Sequence, residues 1–188
     1  MRERPWRPTA KQLRSAHGKE VPDVIAPGLR VLFVGINPGL YSAAVGHHFG
    51  RPGNRFWQAL HAGGFTERVY SPFEDGELIA LGYGITNVVA RATGTADELR
   101  DEEMRAGARV LERKVREYRP RVVAFLGVGA YRTAFGRPRA KLGKQEEKLG
   151  DAEVWVLPNP SGLNAHYDLR ELAQLFRQLR RAVEENSG

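Results

Sequence analysis

The sequence contains no cysteine. That single absence excludes disulfides, thiolate zinc sites, iron–sulfur clusters and cysteine nucleophiles together. Nor is there an uninterrupted apolar run near the roughly 18 residues that a membrane span requires, and the opening "MRERPWRPTAKQLRS" has no apolar core of a secretion signal. A cytoplasmic protein with no membrane contact is therefore expected. Internal repeats and an interdomain linker are also missing. What is present, 188 residues of which 41% are hydrophobic and 27% charged, suits one domain built around one core.

Acidic residues are in deficit, leaving a net charge of +7 that suggests a polyanionic partner, with solubility alone as the other reading of a moderate excess. The excess is uneven. Residues 1–20 hold Arg2, Arg4, Arg7, Lys11, Arg14 and Lys19 against only Glu3 and Glu20, which places four of the seven net charges there. With two prolines and few apolar side chains, residues 1–22 read as a mobile basic arm, either a passive tail or a nucleic-acid contact. The domain proper is then expected over 23–184, with 185–188 as a tail. A second basic stretch, "RPRAKLGKQEEK" at 137–148, reads as a solvated loop.

Four short apolar runs, "LRVLFVG" (29–35), "GITNVV" (84–89), "RVVAFLG" (121–127) and "AEVWVLP" (152–158), have the near-continuous hydrophobicity of strands covered on both faces. Helical patterns separate them. Asn54 can cap a helix ending at Gly63-Gly64, and a short helix is expected near 74–82. A long one should open at the Thr95/Glu98 capping-box spacing and run to Tyr118, with Leu99, Ala106, Val110 and Leu111 inward. Residues 128–135 and 168–184 supply two more. Alternating strands and helices predict an α/β fold, a parallel sheet with helices on both faces.

In such sheets ligands bind beyond the carboxyl ends of the strands. The first run ends in "GINPGL" (35–40) and the last in "LPNPSGL" (157–163). Both end in Asn-Pro, where sheet cannot continue because proline has no N–H, and Gly39 invites a positive φ. Each places a carboxamide where a ligand would sit. The third, "GVGAYR" (127–132), is a partial dinucleotide fingerprint with Arg132 at the third glycine place, which favours an ordinary tight turn over a nucleotide-cofactor enzyme.

"GINPGL", "GHHFGRPGNRFW" (46–57) and "LPNPSGL" together resemble the motif set of the mismatch-specific uracil-DNA and thymine-DNA glycosylases, within the uracil-DNA glycosylase superfamily, over roughly residues 23–180. The resemblance implies a single three-layer α/β domain with a central parallel four-stranded sheet. It implies a monofunctional DNA repair glycosylase that flips out uracil, with thymine or other damaged pyrimidines as further candidates, from G mismatches in double-stranded DNA and hydrolyses its N-glycosidic bond. No cofactor and no metal are expected, the protein should act as a monomer, and in a bacterium it should associate with the nucleoid. A catalytically inactive mismatch-binding module is the alternative from another class.

A base inside a duplex must be extruded, stacked, read and replaced before its glycosidic bond can be cut. By resemblance Phe49 is the stacking aromatic, and backbone N–H groups around Ile36, Gly39 and Phe49 meet the base's carbonyl oxygens. Asn37 occupies the place of the water-positioning residue. An amide is no general base, so its oxygen can only hold water. Asn before proline also caps turns through its own backbone, and that reading stands beside the catalytic one. Ser42 lies where the pocket meets the pyrimidine 5-position, and Asn159 faces the base. Leu163 matches the wedge that fills the vacated stack, with Gly162 giving its loop room to enter the groove and Asn164 beside it. As an alternative, Leu163 is a buried contact. The arginine expected shortly after the wedge is replaced by "LNAHYD", with Ala165 and His166. His47, His48, Ser161 and His166 are taken as phosphate contacts, the two adjacent histidines also as pocket wall. Asp97 either assists water or stabilises a helix dipole as a first-turn acid.

Overall fold

The computed structural model describes residues 6–187; residues 1–5 of the expected arm, with Arg2 and Arg4, and Gly188 of the expected tail lie outside them. In chain order the elements are α1 (Ala10–Ser15), β1 (Val31–Gly35), α2 (Leu40–Val45), α3 (Phe56–Ala62), a 3₁₀ segment (Pro72–Leu81), β2 (Tyr83–Asn87), a 3₁₀ turn (Ala96–Glu98), α4 (Asp101–Tyr118), β3 (Val122–Leu126), α5 (Val128–Phe135), β4 (Gly143–Lys144), β5 (Glu153–Leu157) and α6 (Leu169–Glu185). The sheet order is β2-β1-β3-β5-β4. The four strands foreseen as apolar runs are mutually parallel, and the two-residue β4 adds an antiparallel edge on β5.

Alternation along the strands divides the interior in two. Val31 and Phe33 of β1, Ala124 of β3 and Leu157 of β5 pack with α3 and α6. Leu32, Val34, Val123 and Val156, one residue out of phase, pack with α4 and α5. Both strand faces are thus covered, which is why the runs are continuously apolar. Phe33 anchors the first layer, meeting Phe56 and Phe65 edge-on at 5.5 Å and stacking on Phe176 at 6.1 Å. Truncating it to alanine would cost about 3–5 kcal/mol.

The long helix foreseen from Thr95 divides. The Thr95/Glu98 capping box forms, with Thr95 N–H donating to Glu98 Oε2 at 2.8 Å, but it closes a single 3₁₀ turn. Leu99 is extended (ψ 133°), and α4 restarts at Asp101. The inward set is therefore Met104, Ala108, Leu111 and Val115. Ala106 and Val110 face outward, because the helical phase is set from Asp101 and not from Thr95. The segment near 74–82 is 3₁₀, capped by Ser71 and Glu74. α6 starts on an Asp168/Glu171 capping box and buries Leu172, Phe176, Leu179 and Val183.

The basic opening segment is also more than an arm. Thr9 and Gln12 cap α1, and beyond it Ala16 is completely buried beside Val21, Ala43 and Ala92. Small side chains there allow the segment to lie flat on α2. Among the described residues no helix is long and apolar enough to cross a membrane.

Candidate functional site

A cavity of about 450 Å³ opens at the carboxyl ends of β1, β2, β3 and β5. Its wall brings together Ile36, Asn37, Gly39, Ser42, His48, Phe49, Asp97, Asn159, Ser161, Leu163 and Asn164 from three chain segments. His47, Gly162 and His166 are not on that wall. His166 instead borders a neighbouring cavity of about 640 Å³, which shares Ile36, Asn159 and Asn164 and reaches the start of α5.

Asn37 has a fixed orientation. Its Nδ2 donates to Arg91 O at 3.0 Å and to Thr93 Oγ1 at 2.8 Å. The Thr93 hydroxyl gives its own proton to Thr95 O at 2.7 Å, so Oγ1 can only accept from Asn37. Both partners demand the amide nitrogen, and Oδ1 is left for the cavity. The side chain is thus held by residues 54 and 56 positions away rather than capping its own turn. Arg91 is clamped in turn by Glu103, with 2.7 and 2.9 Å bonds, and this guanidinium lowers the Glu103 carboxyl to about 2.

The turn after β1 differs from expectation in one respect. Gly39 has φ −76° and caps α2, so a positive φ is not what it supplies. Space at its Cα is open, with no atom within 4 Å of where a Cβ would be. The left-handed residue is Phe49, at φ 51°. Its ring lies on Phe56 with centroids 4.2 Å apart and a 29° interplanar angle. Gly35 is required beneath it, because a Cβ there would come 2.6 Å from Asn87 Oδ1 and 3.4 Å from the Phe49 ring. Ser42 is buried, and its Oγ accepts the Gly50 N–H at 2.9 Å, tying the base of α2 to the residue after Phe49.

The two histidines expected as phosphate contacts differ in what they can reach. His48 is 2% exposed, with Nε2 bonded to Pro22 O at 2.8 Å. A carbonyl can only accept, so Nε2 carries the proton, and burial pushes the imidazole below its ordinary range. Phosphate contact is therefore closed to His48, which is pocket wall. His47 Nδ1 pairs with Asp75 Oδ1 at 3.0 Å, while Asp75 Oδ2 accepts the His48 N–H at 3.0 Å. One buried carboxylate holds both.

The loop expected to carry the wedge is stapled from across the site. Leu163 stands 72% exposed, which removes the buried-contact reading. Asn159 Oδ1 accepts Ser161 N–H at 2.9 Å, leaving its Nδ2 for the cavity, and Asn164 Nδ2 returns to Asn159 O at 3.0 Å. Arg55 donates from Nη2 to Ser161 O at 2.8 Å and Asn164 O at 3.0 Å, and from Nη1 to Tyr167 O. Gly162 packs closely against the turn at Gly53: a Cβ there would lie 2.6 Å from Gly53 O.

Asp97 is exposed on its 3₁₀ turn at the cavity mouth, where Glu98, not Asp97, makes the cap. Sequence reasoning missed Arg55, Asp75, Asn87 and Thr93. Asn87 ends β2 and lines the cavity, so its place at a strand's carboxyl end is the signal that points to it. Arg55 sat inside the "GRPGNRFW" motif. Among the described residues no group of three or more histidine, aspartate or glutamate side chains is placed to hold a metal.

Residues 22–183 match the sequence profile of the Uracil DNA glycosylase superfamily. Among solved structures, the chain is similar to that of a candidate uracil DNA glycosylase from Methanosarcina acetivorans, determined by NMR in solution. The two are 24% identical, the match covers 87% of this chain and 98% of that one, and the TM-score is 0.54. At that identity the likeness speaks for the fold.

Proposed function

The chain belongs to the uracil DNA glycosylase superfamily, and we propose that it is a monofunctional, mismatch-directed member that removes uracil opposite guanine from duplex DNA and leaves an abasic site. The observation that carries this reading is the Asn37 carboxamide, turned by Arg91 O and Thr93 Oγ1 so that its oxygen faces the cavity.

In this reading the flipped base stacks on Phe49, with its carbonyl oxygens towards the N–H groups of Ile36, Gly39 and Phe49 and its edge towards Asn159. Asn37 Oδ1 accepts a hydrogen bond from a water placed at C1′ of the sugar. The glycosidic pair leaves with the base, the water oxygen bonds C1′, and the water's proton passes to the departing anion or to solvent. Since an amide cannot take that proton, the protein contributes orientation and anion stabilisation, and turnover should be slow. Leu163, exposed at the rim, fills the gap left in the duplex. Among the described residues Asp97, at the mouth, is the one carboxylate lining the cavity, and it is the candidate for assisting the water.

The test is a panel of labelled duplexes carrying uracil or thymine opposite guanine or adenine, scored for free base and alkali-labile sites. Wild type should release uracil from the guanine mismatch. Asn37→Ala should lose roughly 10²-fold or more of that rate while still binding the duplex. Binding without any base release by wild type would favour a mismatch-binding module. Near-normal release by Asn37→Ala would remove Asn37 from the mechanism.

A further inference from the structure

The basic N-terminal segment touches the main chain that holds Asn37. Gly18 N–H donates to Ala92 O at 2.8 Å, and Ala92 N–H donates to Lys19 O at 2.8 Å. Ala92 lies between Arg91, whose carbonyl accepts from Asn37 Nδ2, and Thr93, whose hydroxyl does the same. Ala16 and Ala92 are both wholly buried in this contact, and His17 Nε2 reaches Glu98 Oε1 at 3.1 Å at the far end of the same loop. Gly18 is at φ 80°, a conformation glycine adopts without strain, and this lets the chain turn back along residue 92.

We propose that residues 16–19 are a positioning element for the chemical step: docked on Ala92, they fix residues 91–93 and so hold the Asn37 carboxamide in its working orientation. The inference rests on the glycosylase reading of Asn37. It separates two roles within one basic segment. Lys11 and Arg14, exposed on α1, are free to meet DNA phosphates, whereas Gly18 and Ala16 act through the site. Charge then governs binding and the docking ladder governs rate.

Single-turnover excision, run over a range of enzyme concentrations on a uracil–guanine duplex, reads the two apart. Gly18→Pro removes the N–H and cannot reach a positive φ, so it undoes the dock in the full-length chain. Its saturated rate should fall roughly tenfold or more, with half-saturation little changed, because small displacements of a positioning group cost that much. Gly18→Ala keeps the N–H and only strains φ, so it should fall between, and it decides the matter if the proline variant fails to fold. The Lys11→Gln/Arg14→Gln variant should show the reverse split: weaker half-saturation, a shallower salt dependence by about 0.9 per lost phosphate contact, and a wild-type saturated rate. In an Asn37→Ala background, Gly18→Pro should add almost nothing, since both act on one group. A wild-type saturated rate in Gly18→Pro, or in Gly18→Ala where the proline variant fails to fold, or full additivity with Asn37→Ala, overturns the proposal. Failure of wild type to release uracil would instead overturn the glycosylase reading, and this proposal with it.

Discussion

Replacing Arg55 with alanine removes the staple across the loop of Leu163, the proposed wedge, while leaving the Arg55 N–H bond to Pro160 O, 2.9 Å, intact. Three carbonyls lose a charged donor: Ser161 O at 2.8 Å, Asn164 O at 3.0 Å and Tyr167 O. Hydrogen bonds from charged groups contribute about 1.5–3 kcal/mol each. The loop lies at the surface, so water can take up the freed carbonyls, and the three bonds share one guanidinium. A sub-additive total of roughly 2–4 kcal/mol for holding residues 159–167 follows. If half of that is spent in presenting Leu163 to the duplex, excision of paired uracil falls by about 5–30-fold. Arg55→Lys should recover little, because one ammonium cannot span three carbonyls that a planar fork reaches. The assay is single-turnover excision of paired and unpaired uracil, alongside hydrogen exchange over 159–167. Exchange should quicken in that loop, and the unpaired substrate should be nearly spared. Unchanged excision of paired uracil, or an equal loss on both substrates, would refute the account.

If Leu163 is the wedge, as proposed, Leu163→Ala should slow excision most for uracil paired with adenine, less opposite guanine and least when unpaired, since extrusion costs a few kcal/mol that a wedge offsets. Phe49→Ala should slow all three alike in single-turnover assays, and a uniform loss in the leucine variant would return Leu163 to a supporting role. The buried His48 gives a pH prediction. Its folded pKa lies below the ordinary 6.5, so as pH falls past 6.5 the unfolded chain gains a proton that the folded one refuses. Stability is thus full above that point and declines on acidification, with a slope of up to about 1.4 kcal/mol per pH unit. Urea unfolding between pH 7.5 and 5.5 should show the decline and His48→Gln should flatten it; equal slopes in both would refute this.

The parallel sheet was legible because both its faces are covered, which leaves continuous apolar runs in the sequence. The turns at the ends of β1 and β5 were legible for a related reason: Asn-Pro stops a strand wherever it occurs. The start of α4 was not, since a capping box reports only that a turn begins, and here Leu99 ends it after one. Two-residue β4 has no pattern to read. Within the site, local chemistry was visible and distant support was not. Asp75 sits in "EDGE", which reads as surface, yet it is buried because His47 and His48, 28 and 27 positions earlier, need its two oxygens. Arg91 and Thr93 matter to Asn37 only after the chain has folded, and so does the docking of Gly18.

Phe49 lies on Phe56, which is wholly buried and meets Phe176 at 6.2 Å. A base laid on the cavity side of Phe49 would add one more ring to a column that begins inside the core. On the proposed function, capture of the base would resemble the last step of folding, with the substrate standing in for an absent side chain and apolar surface leaving water along a series of ring contacts, stacked at Phe49–Phe56 and edge-on at Phe56–Phe176. Calorimetrically it should carry the negative heat-capacity change of burial. Changes as remote as Phe176 would then alter the grip on the base through this column without ever approaching DNA.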